Sequence, residues 1–298
     1  MVRKVLKTEC IGCQVVNDQL LYTAKLPDDA VDFSARHEKV GHYHHRIVRC
    51  ENCGLVRSDP IFSVDEISQL YAASLYSYDA QAGFAADTYE RLWKKFFCTL
   101  PRDASILEVG CGNGFFLSRL KAEGFDEVSG VEPSIDSCQR SEDGLNIHCD
   151  MFPSDQLYGL KFDVILNFHV IDHVVNPRVF LESCWDHLNP GGKLLTVCHD
   201  QGSLSARILG RFSPIYDIEH VFLFSMDTLK SLQTDVGFSV KASGKLRNTY
   251  PLGYWLQYVP WTSYLRQVLP RIMSIPLSLN AGNQFSLAVK DIQTKSCS

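Results

Sequence analysis

The chain has 298 residues, enough for one large domain or a main domain with a small module. Hydrophobic residues make up 45% and charged residues 21%, as in a globular protein, and no apolar run reaches the roughly 20 residues of a membrane span. The formal net charge of −5 argues against a surface that neutralises many phosphates, so nucleic acid is not the default partner.

The opening MVRKVLKTEC has basic residues but neither the apolar stretch nor the cleavage site of a secretory signal, so a cytoplasmic location is expected. Residues 1–61 are rich in Cys and His and read as a small module of their own. Cys10 and Cys13 form one C-x-x-C, and Cys50 and Cys53 form a second. Two such pairs complete a tetrahedral four-cysteine site, and Gly54 suits the turn of a knuckle. Closed coordination leaves no position for water, so the zinc expected here is structural. The alternative is a pair of redox or incidental C-x-x-C units without metal. His42, His44 and His45 lie between the pairs, either as substitute ligands or facing solvent or substrate.

Residues 62–103 read as connecting helices. Phe84, Tyr89, Leu92, Trp93, Phe96, Phe97 and Leu100 recur at helical spacing, and Pro101 ends the run. Tyr76 and Tyr78 precede this helix, placed either to close over a ligand or as core contacts.

From residue 104 to 298, short apolar runs alternate with amphipathic segments. The runs are Ser105–Val109, Val128–Glu132, Leu145–His148, Phe162–Asn167, Lys193–Cys198, Phe238–Ala242 and Phe285–Val289. Between them lie helical candidates at Phe115–Glu123, Ile135–Ser141, Arg178–Leu188 and Met226–Val236. This alternation implies βαβ units in a doubly wound, mainly parallel α/β sheet covered on both faces. Ligands of such sheets bind outside the carboxyl ends of the strands.

One strand end carries the loop Glu108-Val-Gly110-Cys-Gly112-Asn-Gly114, whose glycines permit a tight turn and close backbone approach to a ligand. The next strand ends in Glu132, where a carboxylate accepts from ribose hydroxyls, and Asp150 follows the third run, where it accepts from an adenine amino group.

The E-x-G-x-G-x-G pattern resembles motif I of the class I S-adenosylmethionine-dependent methyltransferases, and FDVILNFHVIDHVVNP with the Leu188–Gly192 turn resembles their fourth and fifth strands. The likeness covers most of residues 104–243 and implies a Rossmann-like seven-stranded sheet. It implies that Glu108, Gly110, Cys111, Gly112 and Gly114 form the cofactor loop, with Cys111 as a packing residue. Glu132, followed by Pro133, would bind ribose; Asp150 and Met151 would flank adenine; Asn167 and Phe168 would face the methionyl end, and Tyr78 would lie over the cofactor.

A zinc module ahead of such a domain resembles the sugar C-methyltransferases and related enzymes of bacterial glycan and natural-product biosynthesis. Those sugar enzymes also carry a large third domain, for which no residues follow in this sequence. In them an acidic residue and a histidine base follow the fourth strand, and Asp172 and His173 stand at the matching place. His169 is a second candidate base, and His220, among Tyr216, Asp217 and Glu219, is a candidate substrate contact.

The segment YPLGYWLQYVPWTSYLRQVLP is aromatic and broken by prolines, and it reads as a hydrophobic lid or a homodimer surface. The expected activity is methyl transfer to oxygen or carbon of a small-molecule acceptor: a sugar, glycan precursor or natural-product intermediate. An RNA methyltransferase with a zinc module and a cofactor-binding scaffold without activity are the alternatives.

Overall fold

The computed structural model describes residues 5–15, 17–26, 33, 43–76, 79–256 and 270–291. Tyr78, His42 and the middle of the late aromatic segment, 257–269, lie outside the described residues.

The Cys- and His-rich part forms strands β1 (Val5–Leu6), β2 (Asp18–Tyr22), β3 (Ile47–Cys50), β4 (Val56–Ser58) and β5 (Ile61–Phe62). Helices α1 (Val64–Ala72) and α2 (Asp79–Phe97) follow. Strands β6 (Ile106–Val109), β7 (Val128–Glu132), β8 (Asn146–Cys149), β9 (Phe162–Phe168) and β10 (Leu188–His199) then alternate with α3 (Phe115–Ala122), α4 (Ile135–Gln139) and α5 (Pro177–His187). The remaining elements are α6 (Leu204–Leu209), β11 (Phe222–Leu223), α7 (Met226–Val236), β12 (Ser239–Pro251), α8 (Leu252–Leu256), α9 (Pro270–Met273) and β13 (Pro276–Val289).

Seven strands form one sheet in the order β12-β13-β10-β9-β6-β7-β8. Strand β13 runs antiparallel to both of its neighbours, while β10, β9, β6, β7 and β8 are parallel. Strand order reverses between β6 and β9, which places a ligand crevice at their carboxyl ends. Both faces are covered, so the central strands are apolar on each side. On one face Leu107, Val109, Ile165 and Leu194 meet Phe180, Leu181 and Phe238 of the α5 and α7 side. On the other, Ile106, Val164, Leu166, Leu195 and Val197 meet Leu92, Trp93 and Phe97 of α2 and Phe116 of α3. The switch from one set to the other at each residue is the period of a strand.

Local chemistry sets the ends of the helices. Asn176 caps α5 by accepting from the Val179 N–H at 3.2 Å, with Pro177 in the first turn. Ser225 and Thr228 form a capping box on α7, and Gly237 closes it at φ 115°.

Strands β10, β12 and β13 are much longer than their apolar runs. Strands β12 and β13 extend as an antiparallel ribbon to the Pro251–Pro276 pair, where Leu246, Asn248 and Tyr250 of β12 are buried at every second position while Leu277 and Leu279 of β13 are exposed. The Leu188–Gly192 turn lies at a register shift in the pairing of β10 with β9, with Gly191 at φ 81°.

The Cys-rich part is joined to the rest by a strand. Its four-stranded sheet has the order β11-β4-β3-β2, so β11 from the later part of the chain completes it. Next to that pairing, the Ser58 N–H donates to Val221 O at 2.9 Å and the Ser58 hydroxyl donates to His220 O at 2.8 Å. Inside the module Arg57, almost fully buried, donates to both carboxylate oxygens of Asp18 at 2.8 and 2.6 Å.

Candidate active site

The glycine loop follows β6 with Gly110, Gly112 and Gly114 at φ 70°, 57° and 79°, in the left-handed region that glycine enters without strain. A Cβ on Gly110 would stand 2.4 Å from Val170 Cγ2, and one on Gly114 would stand 2.6 Å from Leu145 Cδ1. Cys111 is buried, and its sulfur lies against Gly130 of β7.

Glu132, at the end of β7, is buried and accepts from the Gly112 N–H through Oε2 and the Ser134 N–H through Oε1, each at 2.9 Å. One carboxylate therefore clamps the glycine loop to the turn that carries Pro133. Burial raises its pKa, opposed by the Ser134 and Gly112 N–H groups. Glu108 is also buried, and its Oε2 has no hydrogen-bond partner among the described residues. Burial first, and then the neighbouring Glu132, push its carboxyl well above the usual range. An unpaired buried carboxyl at the switch point suits a ligand that brings donors or positive charge.

Asp150, after β8, accepts from the Met151 N–H at 2.8 Å and the Ser154 hydroxyl at 2.6 Å, which fixes its carboxylate at the strand end. Tyr76 lies over the loop: an added Gly112 Cβ would be 3.6 Å from its ring, and its N–H donates to Asp136 at 2.9 Å. The Ser134 hydroxyl donates to Ser74 O at 2.8 Å, tying the same segment down. Asn167 and Phe168 take inward positions. Asn167 Nδ2 donates to Thr196 Oγ1 at 2.9 Å, and the Phe168 ring stacks on Tyr89 at a centroid distance of 4.0 Å.

Across the crevice, His169, Asp172 and His173 follow β9, His199 ends β10, and His220 precedes β11. The side chain of Asp172 is 1% exposed. Its Oδ1 lies 3.9 Å from His173 Nε2 and its Oδ2 lies 3.9 Å from His199 Nε2, too far for hydrogen bonds. The expected direct orientation of His173 by Asp172 is thus replaced: the Tyr71 hydroxyl of α1 lies 2.9 Å from His173 Nδ1. His220 is held by its Nδ1, 2.8 Å from Ile215 O, and its ring stands 4.7 Å from that of His173. Burial, then His220, lower the pKa of His173, and burial holds His199 down at about 3. Burial alone would raise the pKa of Asp172, but the surrounding histidines keep it low.

Sequence reasoning missed His199, Tyr71, Asn283 and Gly130. His199 had a usable signal, since it ends a strand on the ligand-binding side of the sheet. Asn283 had none: it arrives opposite His199 through the antiparallel register of β13. Gly130 has a packing role, because its own Cβ would stand 2.4 Å from Cys111 Sγ and 2.9 Å from Leu117 Cδ1. Gly130→Ala is expected to cost about 1–3 kcal/mol by overpacking. Titration calorimetry should also show cofactor affinity falling about tenfold, equivalent to about 1.4 kcal/mol, with partial rescue by Cys111→Ala. Unchanged affinity in the single variant would rule out this coupling.

In the Cys-rich part the four sulfurs converge. Cys10 and Cys53 are 3.3 Å apart, Cys13 and Cys50 3.4 Å, and Cys10 and Cys13 3.6 Å. Zinc–sulfur bonds of about 2.3 Å place thiolates about 3.8 Å apart around a tetrahedron, so this cluster fits a zinc ion with little adjustment.

A sheet of this order, with one reversed strand, a glycine loop at the switch point and acidic residues on the following strand ends, is that of the class I S-adenosylmethionine-dependent methyltransferases. A family profile described as a methyltransferase domain matches residues 78–243, more than half of the chain, and the chain belongs to that family. The ubiquinone biosynthesis O-methyltransferase of Agrobacterium fabrum is 34% identical over 115 residues, covering 36% of this chain and 45% of that protein. That of Parvibaculum lavamentivorans is 38% identical over 96 residues, covering 30% and 38%. The chain thus spans less than half the length of these curated relatives. Among solved structures, a chain from the complex of the Haloferax volcanii Trm112 methyltransferase activator with a methyltransferase has a TM-score of 0.52 at 15% identity, covering 72% of this chain and 96% of that one. The cyclase SpnF has a TM-score of 0.52 at 14% identity, covering 69% and 81%. Both likenesses concern the fold.

Proposed function

We propose that this chain is a cytoplasmic enzyme that transfers the methyl group of S-adenosylmethionine to an oxygen or carbon atom of a small molecule. The observation that carries this reading is the buried carboxylate and histidines at the ends of β9 and β10, across from the glycine loop. S-adenosylmethionine supplies an electrophilic methyl group on a sulfonium sulfur. Glu132 would accept from the ribose hydroxyls, Asp150 and Met151 would flank the adenine, and Glu108 would meet the positive end of the methionyl part. Tyr76 would cover the loop. The acceptor enters on the histidine side, where alignment and exclusion of water are the first requirements.

An acceptor hydroxyl or C–H must lose its proton during the transfer. His173 is the proposed base: it is held by Tyr71 and partly open, and burial lowers its pKa, which favours the neutral ring that a base needs. His169 and His220 line the same side as acceptor contacts. The names of the curated relatives support a hydroxyl acceptor, and the zinc module supports the sugar, glycan or natural-product class. Residues 1–61 serve as that module, with structural zinc on Cys10, Cys13, Cys50 and Cys53. No helix among the described residues is long and apolar enough to cross a membrane.

The test is to incubate the protein with methyl-labelled cofactor and a fractionated metabolite pool. Label should appear in one small molecule; label in RNA, or no transfer to any fraction, would overturn the reading. His173→Ala should lower kcat about 10²–10⁴-fold with cofactor affinity unchanged. An unaltered kcat would dismiss His173 as the base.

A further inference from the structure

We propose that His169, Asp172 Oδ2 and His199 form a binding site for a divalent transition-metal ion, which takes an oxygen of the acceptor as a further ligand. The inference rests on the methyl-transfer reading for what the ion does, not for whether it binds.

Asp172 is the starting point. Its side chain is 1% exposed, and among the described residues no lysine or arginine pairs with it. Among the described residues Oδ1 accepts no hydrogen bond, and Oδ2 has only the His199 backbone N–H at 3.3 Å. Buried carboxylates are either paired or bound to metal.

His199 sharpens the choice. Its Nδ1 lies 2.9 Å from Asn283 Oδ1, an oxygen that only accepts, so the ring proton sits on Nδ1. Nε2 then presents a lone pair toward Asp172 Oδ2, 3.9 Å away. Two acceptors facing each other across that gap call for a cation between them. Histidines that bind metals are oriented in this way, with the other ring nitrogen donating to an oxygen.

His169 completes the set. Its φ of 58° places a non-glycine residue in the left-handed region, held there by its N–H donating to Val197 O at 2.7 Å. The strained backbone brings its ring to 4.8 Å from that of His199. Ligand atoms of His169, Asp172 and His199 all lie within 4.8 Å of one another. Ligands about 2.0–2.1 Å from an ion stand about 3.3 Å apart in a tetrahedron, so side-chain rotations of roughly 1 Å close the site. Two imidazoles and one carboxylate leave further positions open, and both imidazoles are partly exposed toward the acceptor side.

An acceptor hydroxyl bound there becomes more acidic. Its O–H bond breaks with the proton passing to His173, and the oxygen lone pair forms the O–CH₃ bond as the methyl–sulfur bond breaks and its electrons return to sulfur. The inference therefore selects hydroxyl acceptors over carbon.

The experiment equilibrates the full chain with Co²⁺, removes free metal and counts bound cobalt, alongside His169→Asn and Asp172→Asn. Asparagine tolerates the left-handed backbone at position 169, so this variant tests the site even if Asp172→Asn does not fold. Each folded variant should lose about one equivalent of metal, together with the visible absorption of an imidazole–carboxylate site, while absorption of thiolate-bound cobalt remains. Full cobalt content in His169→Asn overturns the site. If the metal is lost as expected but no label reaches a small molecule, the function falls and the site stands. If label is transferred and His169→Asn keeps its metal, the site falls and the function stands.

Discussion

Glu132→Ala is expected to weaken binding of S-adenosylmethionine by at least about 100-fold and to destabilise the protein by about 2–4 kcal/mol. Both effects come from one carboxylate. In the free protein Glu132 satisfies the Gly112 and Ser134 N–H groups at 2.9 Å, and each buried N–H left unpaired costs about 1–3 kcal/mol. On the ligand side, two hydrogen bonds from ribose hydroxyls to a charged acceptor are each worth about 1.5–3 kcal/mol. Losing them accounts for two decades of affinity or more. Glu132→Gln should fall between, because its amide oxygen still serves one N–H while its NH₂ faces the other. Calorimetric binding and thermal unfolding on the same samples decide the matter. Affinity within threefold of wild type in the alanine variant would show that the cofactor does not reach Glu132.

This site shows why some of the chemistry was legible in the sequence and some was not. Glu108 lies one residue before the end of β6, Glu132 ends β7 and Asp150 directly follows β8, so an acidic residue at the close of a short apolar run marks each of them locally. The helices Arg178–Leu188 and Met226–Val236 were equally legible, since their apolar spacing is a local pattern, and the structure starts them at Pro177 and Met226. The partner of His173 is another matter. Tyr71 comes from α1, about a hundred residues earlier in the chain, and nothing near either residue announces the contact. The same holds for Asn283 beside His199, which depends on the register of β13. Asp172 and His173 adjoin in sequence, yet the chain turns so that Asp172 Oδ1 and His173 Nε2 are 3.9 Å apart. Adjacency along the chain suggested a pair; the fold makes each of them a partner of something distant.

The strand shared between the Cys-rich module and the later chain leads to the second large effect. Replacing both Cys50 and Cys53 with serine is expected to lower methyl transfer at least about 100-fold while changing cofactor affinity less than about threefold. A structural zinc ion contributes on the order of 10–16 kcal/mol of apparent binding free energy to small zinc-dependent folds, and β3 ends at Cys50 itself. If the four thiolates hold zinc as proposed, losing the ion takes the anchor from β3 and the partner from β4 in the Ile47–Ser58 register. The consequence passes to the acceptor side by short steps. Strand β4 pairs with β11, and Ser58 holds Val221 O at 2.9 Å and His220 O at 2.8 Å. In turn Val221 and Phe222 donate their N–H groups to Asp172 O at 2.8 and 3.2 Å. Releasing Ser58 therefore frees the loop that places His220 and the backbone of Asp172. The glycine loop, Glu132 and Asp150 belong to strands β6, β7 and β8, at the other side of the switch point, and keep their contacts. Hydrogen exchange should show protection lost in β3, β4 and β11 but retained in β6 and β7, with calorimetry reporting near-normal cofactor binding. If the serine variant keeps full turnover, the module does not support the acceptor side; if cofactor affinity falls along with turnover, the two halves of the site are not separable.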